Sequence, residues 1–369
     1  MGLRGNRVRP RTRNRSSRPA WGRVAVLCVT APLFTMAGSA ASHDRPCCSV
    51  AARCWQTSPA PALPSATSPR DWRQAAPFGG PATTFSVAFT VGGKAYVGTG
   101  YGARNQFWQY DPGADVWTRK ADHPGRIRGA AVAFSIGDKG YLGLGYGDDG
   151  RFADLWEYDP AADRWTQKAS LPAAVRDHCA VFAIGPKAYV TSGMTCKGNE
   201  NDCGELKEVW EYDTRTDRWT RKADMPEAIV WSAYFVLNGK GYIEGGQRPQ
   251  TIARNFWVYD PQADTWTRKA EFPGRVRFRA VGFSLNGKGY IGTGIASMGE
   301  TTADVLSDLW EYDPQANAWT QAPAFSGPAR GAAVGFVLDS RVYIGTGTNS
   351  RREMLRDFWW TEPLVARKK

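Results

Sequence analysis

The chain has 369 residues and a formal charge of +12, from 47 Lys and Arg against 35 Asp and Glu. Its 12% aromatic content, with 16 Trp, excludes a disordered chain. No apolar run approaches the length of a spanning helix, which excludes a polytopic membrane protein, and three His make a multi-histidine metal enzyme hard to build.

Residues 1–41 carry eight arginines and no acid, which leaves +4 for everything after them. The basic balance is therefore a property of the leader, and no nucleic-acid partner is expected. An apolar stretch from Val24 to Ala37 follows the arginines and ends in Gly38-Ser39-Ala40-Ala41. That order is the pattern of a signal peptide, so export to the periplasm or beyond is expected, with no membrane span in the mature chain. An uncleaved signal anchor is the alternative. Residues 42–69 hold Cys47, Cys48 and Cys54 and then a Pro/Ala/Ser/Thr-rich stretch, which reads as a linker.

From residue 70 to 363 the sequence repeats. Phe107-Trp-Gln-Tyr-Asp-Pro112, Leu155-Trp-Glu-Tyr-Asp-Pro160, Val209-Trp-Glu-Tyr-Asp-Thr214, Phe256-Trp-Val-Tyr-Asp-Pro261 and Leu309-Trp-Glu-Tyr-Asp-Pro314 nearly coincide. A second tryptophan follows each at an offset of nine, as in Trp108 and Trp117, and the first tryptophans recur at intervals of 47 to 54. Upstream of each pair, a phenylalanine and a tyrosine seven apart flank a Gly, Asn or Asp turn, as in Phe134 and Tyr141. Each unit thus reads as four short strands, a to d, joined by tight turns. Four strands at this period predict an all-β propeller, and six copies predict six blades. The last copy stops after strand c near Pro363, while Asp71-Trp-Arg-Gln-Ala-Ala76 looks like a lone strand d. Pairing the two would close the ring and remove the open edge. Residues 364–369 form a basic tail.

With its Gly pair, Tyr and spaced Trp, the segment from Arg70 to Pro363 resembles the kelch repeat family. The resemblance implies a propeller in which strand a lines a central channel, and the d–a and b–c connections share one face. Six residues before each phenylalanine stand Thr83, Arg128, Arg176, Ile229, Arg277 and Arg330; two further on stand Phe85, Ala130, His178, Trp231, Arg279 and Ala332. These would ring the channel mouth. Clustered guanidinium groups attract carboxylates or phosphates, so Arg128, Arg176, Arg277, Arg279 and Arg330, with His178 and Trp231, are the candidate ligand-binding set. The other reading is that these arginines pair with acids or carbonyls between blades.

Glu244 stands where the other blades have Gly98, Gly143, Thr191, Gly292 and Gly345. With Arg248 and Arg254 it is the candidate catalytic group, a general acid or base; a salt bridge to a strand-a arginine is the alternative. Cys196 and Cys203 face each other across the blade-three b–c loop and are expected to form a disulfide. His123 and His178 read as surface or core residues, and no metal and no cofactor are expected.

An exported kelch protein with no evident catalytic constellation is expected to bind a carbohydrate or another anionic small molecule, or an envelope or protein partner, as a monomer. The alternative is enzymatic. The chain also resembles the periplasmic sialic-acid mutarotases in size, export and blade count, which implies a Glu–Arg pair that Glu244 with Arg248 or Arg254 would supply. Galactose oxidases share the repeat, but they have seven blades and a copper site with two histidines that has no match here.

Overall fold

The computed structural model describes residues 72–196, 202–248, 251–296 and 304–362. The leader, the linker with Cys47, Cys48 and Cys54, and the tail lie outside the described residues.

The hairpin joining strands a and b sets the register of each blade. In blade 1, Val87–Val91 pairs with Lys94–Gly98 across Gly92-Gly93. Both turn residues have positive φ, as do Asn238-Gly239 and Asn286-Gly287, which is the turn geometry whose twist matches that of the strands. Blade 3 uses Gly185-Pro186, with positive φ at the glycine only, so the proline ring is accommodated at the second position. The turn between strands c and d is also encoded. In blade 2, Asp159 ends strand c (Leu155–Asp159) and accepts the N–H groups of Ala161 and Ala162. Asp163 follows with a φ of 47° and leads into strand d (Arg164–Lys168).

That Asp163 also joins one blade to the next. It accepts Tyr158 Oη at 2.6 Å and the N–H of Ala121, at the end of the preceding blade, at 2.9 Å. Trp165 Nε1 returns a bond to the Ala121 carbonyl at 2.9 Å. The same four-residue link recurs at Tyr110, Asp115, Trp117 and Ala76, and again at Tyr212, Asp217, Trp219 and Ala169. The fixed tryptophan and tyrosine spacings therefore encode adhesion between blades.

The result is six four-stranded antiparallel sheets. The sixth is assembled from both ends of the described chain: Arg73–Ala75 pairs with Phe358–Thr361, which pairs with Arg341–Gly345 and then Val334–Leu338. Cores lie between neighbouring sheets, where in five of the six blades the phenylalanine of strand a stacks on its tyrosine, as Phe134 does on Tyr141 at 4.9 Å. A Cβ at Gly140 would lie 2.1 Å from the Phe89 ring of the preceding blade, so this position stays open for the ring to enter. The architecture is that of a six-bladed β-propeller, as the repeat predicts.

Candidate functional site

The strand-a segments begin at Val87, Val132, Ala180, Ala233, Val281 and Val334. Just before them, Phe85, Ala130, His178, Trp231, Arg279 and Ala332 surround a pocket of about 120 Å³. All six have left-handed backbones, with φ between 53° and 61°. Each such conformation costs a non-glycine residue on the order of 1 kcal/mol. A ring of backbone hydrogen bonds offsets the cost. Ala130 donates to Phe85, His178 to Ala130, Arg279 to Trp231, Ala332 to Arg279 and Phe85 to Ala332, all within 2.8–3.2 Å. Between blades 3 and 4 the His178 and Trp231 rings meet edge to face at 5.2 Å.

Three residues of the expected ligand set meet in this pocket. His178 Nδ1 lies 2.8 Å from Asp177 Oδ1, and Asp177 Oδ2 lies 2.8 Å from Arg151 Nε. The carboxylate therefore orients the imidazole, and Nε2 has no partner among the described residues. Burial pulls the His178 pKa below its ordinary value against the pull of Asp177, which keeps the ring neutral. Arg279 lies over three aromatic faces, 4.3 Å from Trp231, 4.7 Å from Phe85 and 5.4 Å from Phe278. No carboxylate among the described residues pairs with it, and burial pulls its pKa down to about 10. Trp231 Nε1 and Ser232 Oγ are also buried without partners among the described residues. The mouth thus offers a cation, the rings of Trp231 and Phe85, and an oriented neutral imidazole.

Arg128, Arg176, Arg277 and Arg330 do something else, and the expectation that they bind a ligand is corrected. Their side chains are 0% exposed. Arg277 spans Asp308 with bonds of 2.7 and 2.6 Å and donates to the Thr293 carbonyl. Arg128 does the same with Asp154 and Leu144, and Arg330 with Asp357 and Thr346. Arg176 takes Glu208 at 2.5 Å. Each carboxylate also accepts the first tryptophan of its blade, as Asp308 does from Trp310. Burial would raise the pKa of Asp308, but hydrogen bonds and charge from Arg277 hold it below the usual carboxylate range. These arginines fasten the d–a segment to strands b and c within a blade, and the acids stand one residue before strand c.

Glu244 is not joined to Arg248 or Arg254 by any hydrogen bond or ion pair. Arg248 pairs with Glu227, and Arg254 donates to the carbonyls of Phe272 and Gly274. Glu244 is 1% exposed, and neither carboxyl oxygen has a hydrogen-bond partner among the described residues. Burial pushes its pKa up to about 8, while the charges of Arg277 and Arg254 pull the other way. It does not line the mouth pocket, so the proposed catalytic trio is not assembled there. His123 is buried against Trp156 and Trp165, where other blades place Leu171, Met225 or Phe272. Cys196 and Cys203 form the expected disulfide across a hairpin of Met194–Cys196 and Cys203–Glu205.

Asp177, Arg151 and Ser232 were not in the candidate set. Asp177 was within reach of sequence reasoning, because a carboxylate directly before a histidine is one signal of an oriented imidazole. Arg151 comes from the b–c hairpin of blade 2 and meets Asp177 of blade 3 only through the fold.

No family model and no curated protein matches this chain. Among solved structures, that of YjhT superposes with a TM-score of 0.67 at 17% identity, over 77% of this chain and 96% of that one. At this identity the likeness is one of fold: this chain is built as that propeller is.

Proposed function

We propose that the protein binds a small anion, with a carboxylated sugar as the first class to test, at the channel mouth. Arg279 carries the reading. Arg128, Arg176, Arg277 and Arg330 each hold a carboxylate of their own, while Arg279 has none among the described residues and faces the pocket. A partly desolvated guanidinium attracts a carboxylate, and the faces of Trp231 and Phe85 suit the apolar side of a sugar ring. The Cys196–Cys203 bridge supports the accompanying proposal of an oxidising, exported location.

The Asp177–His178 pair favours a second reading, catalysis of anomer interconversion. That reaction takes a proton from the anomeric hydroxyl and returns one to the ring oxygen, and a neutral imidazole held at Nδ1 can do both.

One experiment separates the readings. Calorimetry of the full chain with N-acetylneuraminate, glucuronate and glucose should show binding of an acid, and Arg279→Gln should weaken it at least about tenfold, the loss of a charged hydrogen bond. Unchanged affinity in that variant overturns the anion site. NMR exchange between anomers, run on the same samples, rises above the protein-free rate only if the catalytic reading is right.

A further inference from the structure

Below the mouth lies a second space of about 230 Å³. The two share Ser86, Ala131, Ala280 and Ala333 in their walls, so they adjoin along the channel. Its lining follows from the topology. Strand a is the edge of every sheet, hydrogen-bonded to strand b on one side only. Counting back from the two-residue turn, Val91, Phe89 and Val87 bond to strand b, and Ala88 between them turns its N–H and C=O toward the lumen. Ala133, Tyr234, Gly282 and Gly335 hold the same register in their blades. Four of these five side chains are small enough to leave the strand edges uncovered.

Tyr234 is the exception. It lines the chamber, and its hydroxyl makes no hydrogen bond among the described residues. Burial pushes its pKa up to about 12, so it stays a protonated donor. Two residues earlier Ser232, in the wall of the mouth, has a buried Oγ without a partner among the described residues. Buried polar groups are ordinarily satisfied, by protein, water or ligand. A cavity walled by strand edges and two unpartnered hydroxyls favours neutral hydrogen-bonding groups over hydrocarbon.

We infer that this chamber is the second half of the ligand site, holding a hydroxyl-bearing arm of the anion whose carboxylate meets Arg279, with Tyr234 Oη and Ser232 Oγ as recognition groups. The inference rests on the anion reading of the mouth and assigns it a ligand shape: an acid that carries a polar arm.

Gluconate and lactate are the probes, since both are hydroxy acids and only gluconate has the arm. Calorimetry of the full chain should show gluconate binding at least about tenfold more tightly, as expected for two or more added hydrogen bonds. Tyr234→Phe and Ser232→Ala should each weaken gluconate by about five- to tenfold and leave lactate unchanged, with no loss of thermal stability, because each removes an unpartnered hydroxyl. Equal affinities for the two acids, or unchanged gluconate affinity in both variants, overturn the inference. If Arg279→Gln weakens both acids while Tyr234→Phe and Ser232→Ala change nothing, the chamber falls and the mouth stands. If neither acid binds and Arg279→Gln is silent, both fall.

Discussion

Blade 4 rearranges its charges. Ile229 stands where four other blades have the fastening arginine, Asn255 stands in the place of its acid, and Glu227 accepts Asn255, Arg248 and Trp257 instead. In the same blade, Glu244 has no hydrogen-bond partner among the described residues. Its pKa, raised by burial to about 8 from 4.5, makes it a stability term with a definite sign. The folded chain keeps the proton between those values while the unfolded chain releases it, so stability falls as pH rises from about 4.5 to 8 and is flat above. Glu244→Gln cannot ionise and escapes that fall. It should match the native protein near pH 4 and exceed it at pH 8 by on the order of 2–4 kcal/mol. Urea midpoints across that range measure the difference; parallel profiles for the two proteins would refute it.

At the scale of the element, the d–a segment is held by an ion pair and the mouth is built on top of it. Arg277 fastens the segment below, and two residues on Arg279 is released to face the pocket. The left-handed backbone at Arg279 breaks the extended run, in which residues two apart would share a face, and so separates a structural from a ligand-facing arginine. Asp308→Ala leaves the Arg277 guanidinium buried without its acid, which costs several kcal/mol for a fully buried pair. Because Asp308 is 23% exposed, a loss of about 3 kcal/mol in chemical denaturation is expected. Arg279→Gln, lacking such a partner, should leave the midpoint nearly unchanged. Equal losses in the two variants would show that the two arginines do the same work.

Over the whole molecule, the ring depends on one short strand from far away in sequence. Arg73–Ala75 covers the edge of Phe358–Thr361, and Trp72 packs edge to face on Phe325 at 4.9 Å. A chain beginning at Pro77 would expose that aromatic edge, a template for association. Losing the Trp72 burial and three paired residues should lower Tm by on the order of 5–10 °C and raise the scattering at high concentration. A chain beginning at residue 70 should show neither effect, and a Pro77 chain as stable as it would mean that closure adds nothing.

The sequence by itself determined the architecture, because its information is local and repeated. Turn residues fix each hairpin, the Tyr–Asp–Trp spacing fixes each blade-to-blade link, and the unmatched strand at each end fixes blade number and closure. The same frame placed His178, Trp231 and Arg279 at one level. It could not tell Arg277 from Arg279, because both are arginines in the same segment and only the direction of each side chain separates them. It also grouped Glu244 with Arg248 and Arg254 by nearness in sequence, whereas their partners come from other segments: Glu227 for Arg248, and the Phe272 and Gly274 carbonyls for Arg254. Burial, charge pairing and the orphaned hydroxyls of the channel arise from contacts between blades, so only the tertiary structure decided which polar groups are used up by the fold and which remain for a ligand.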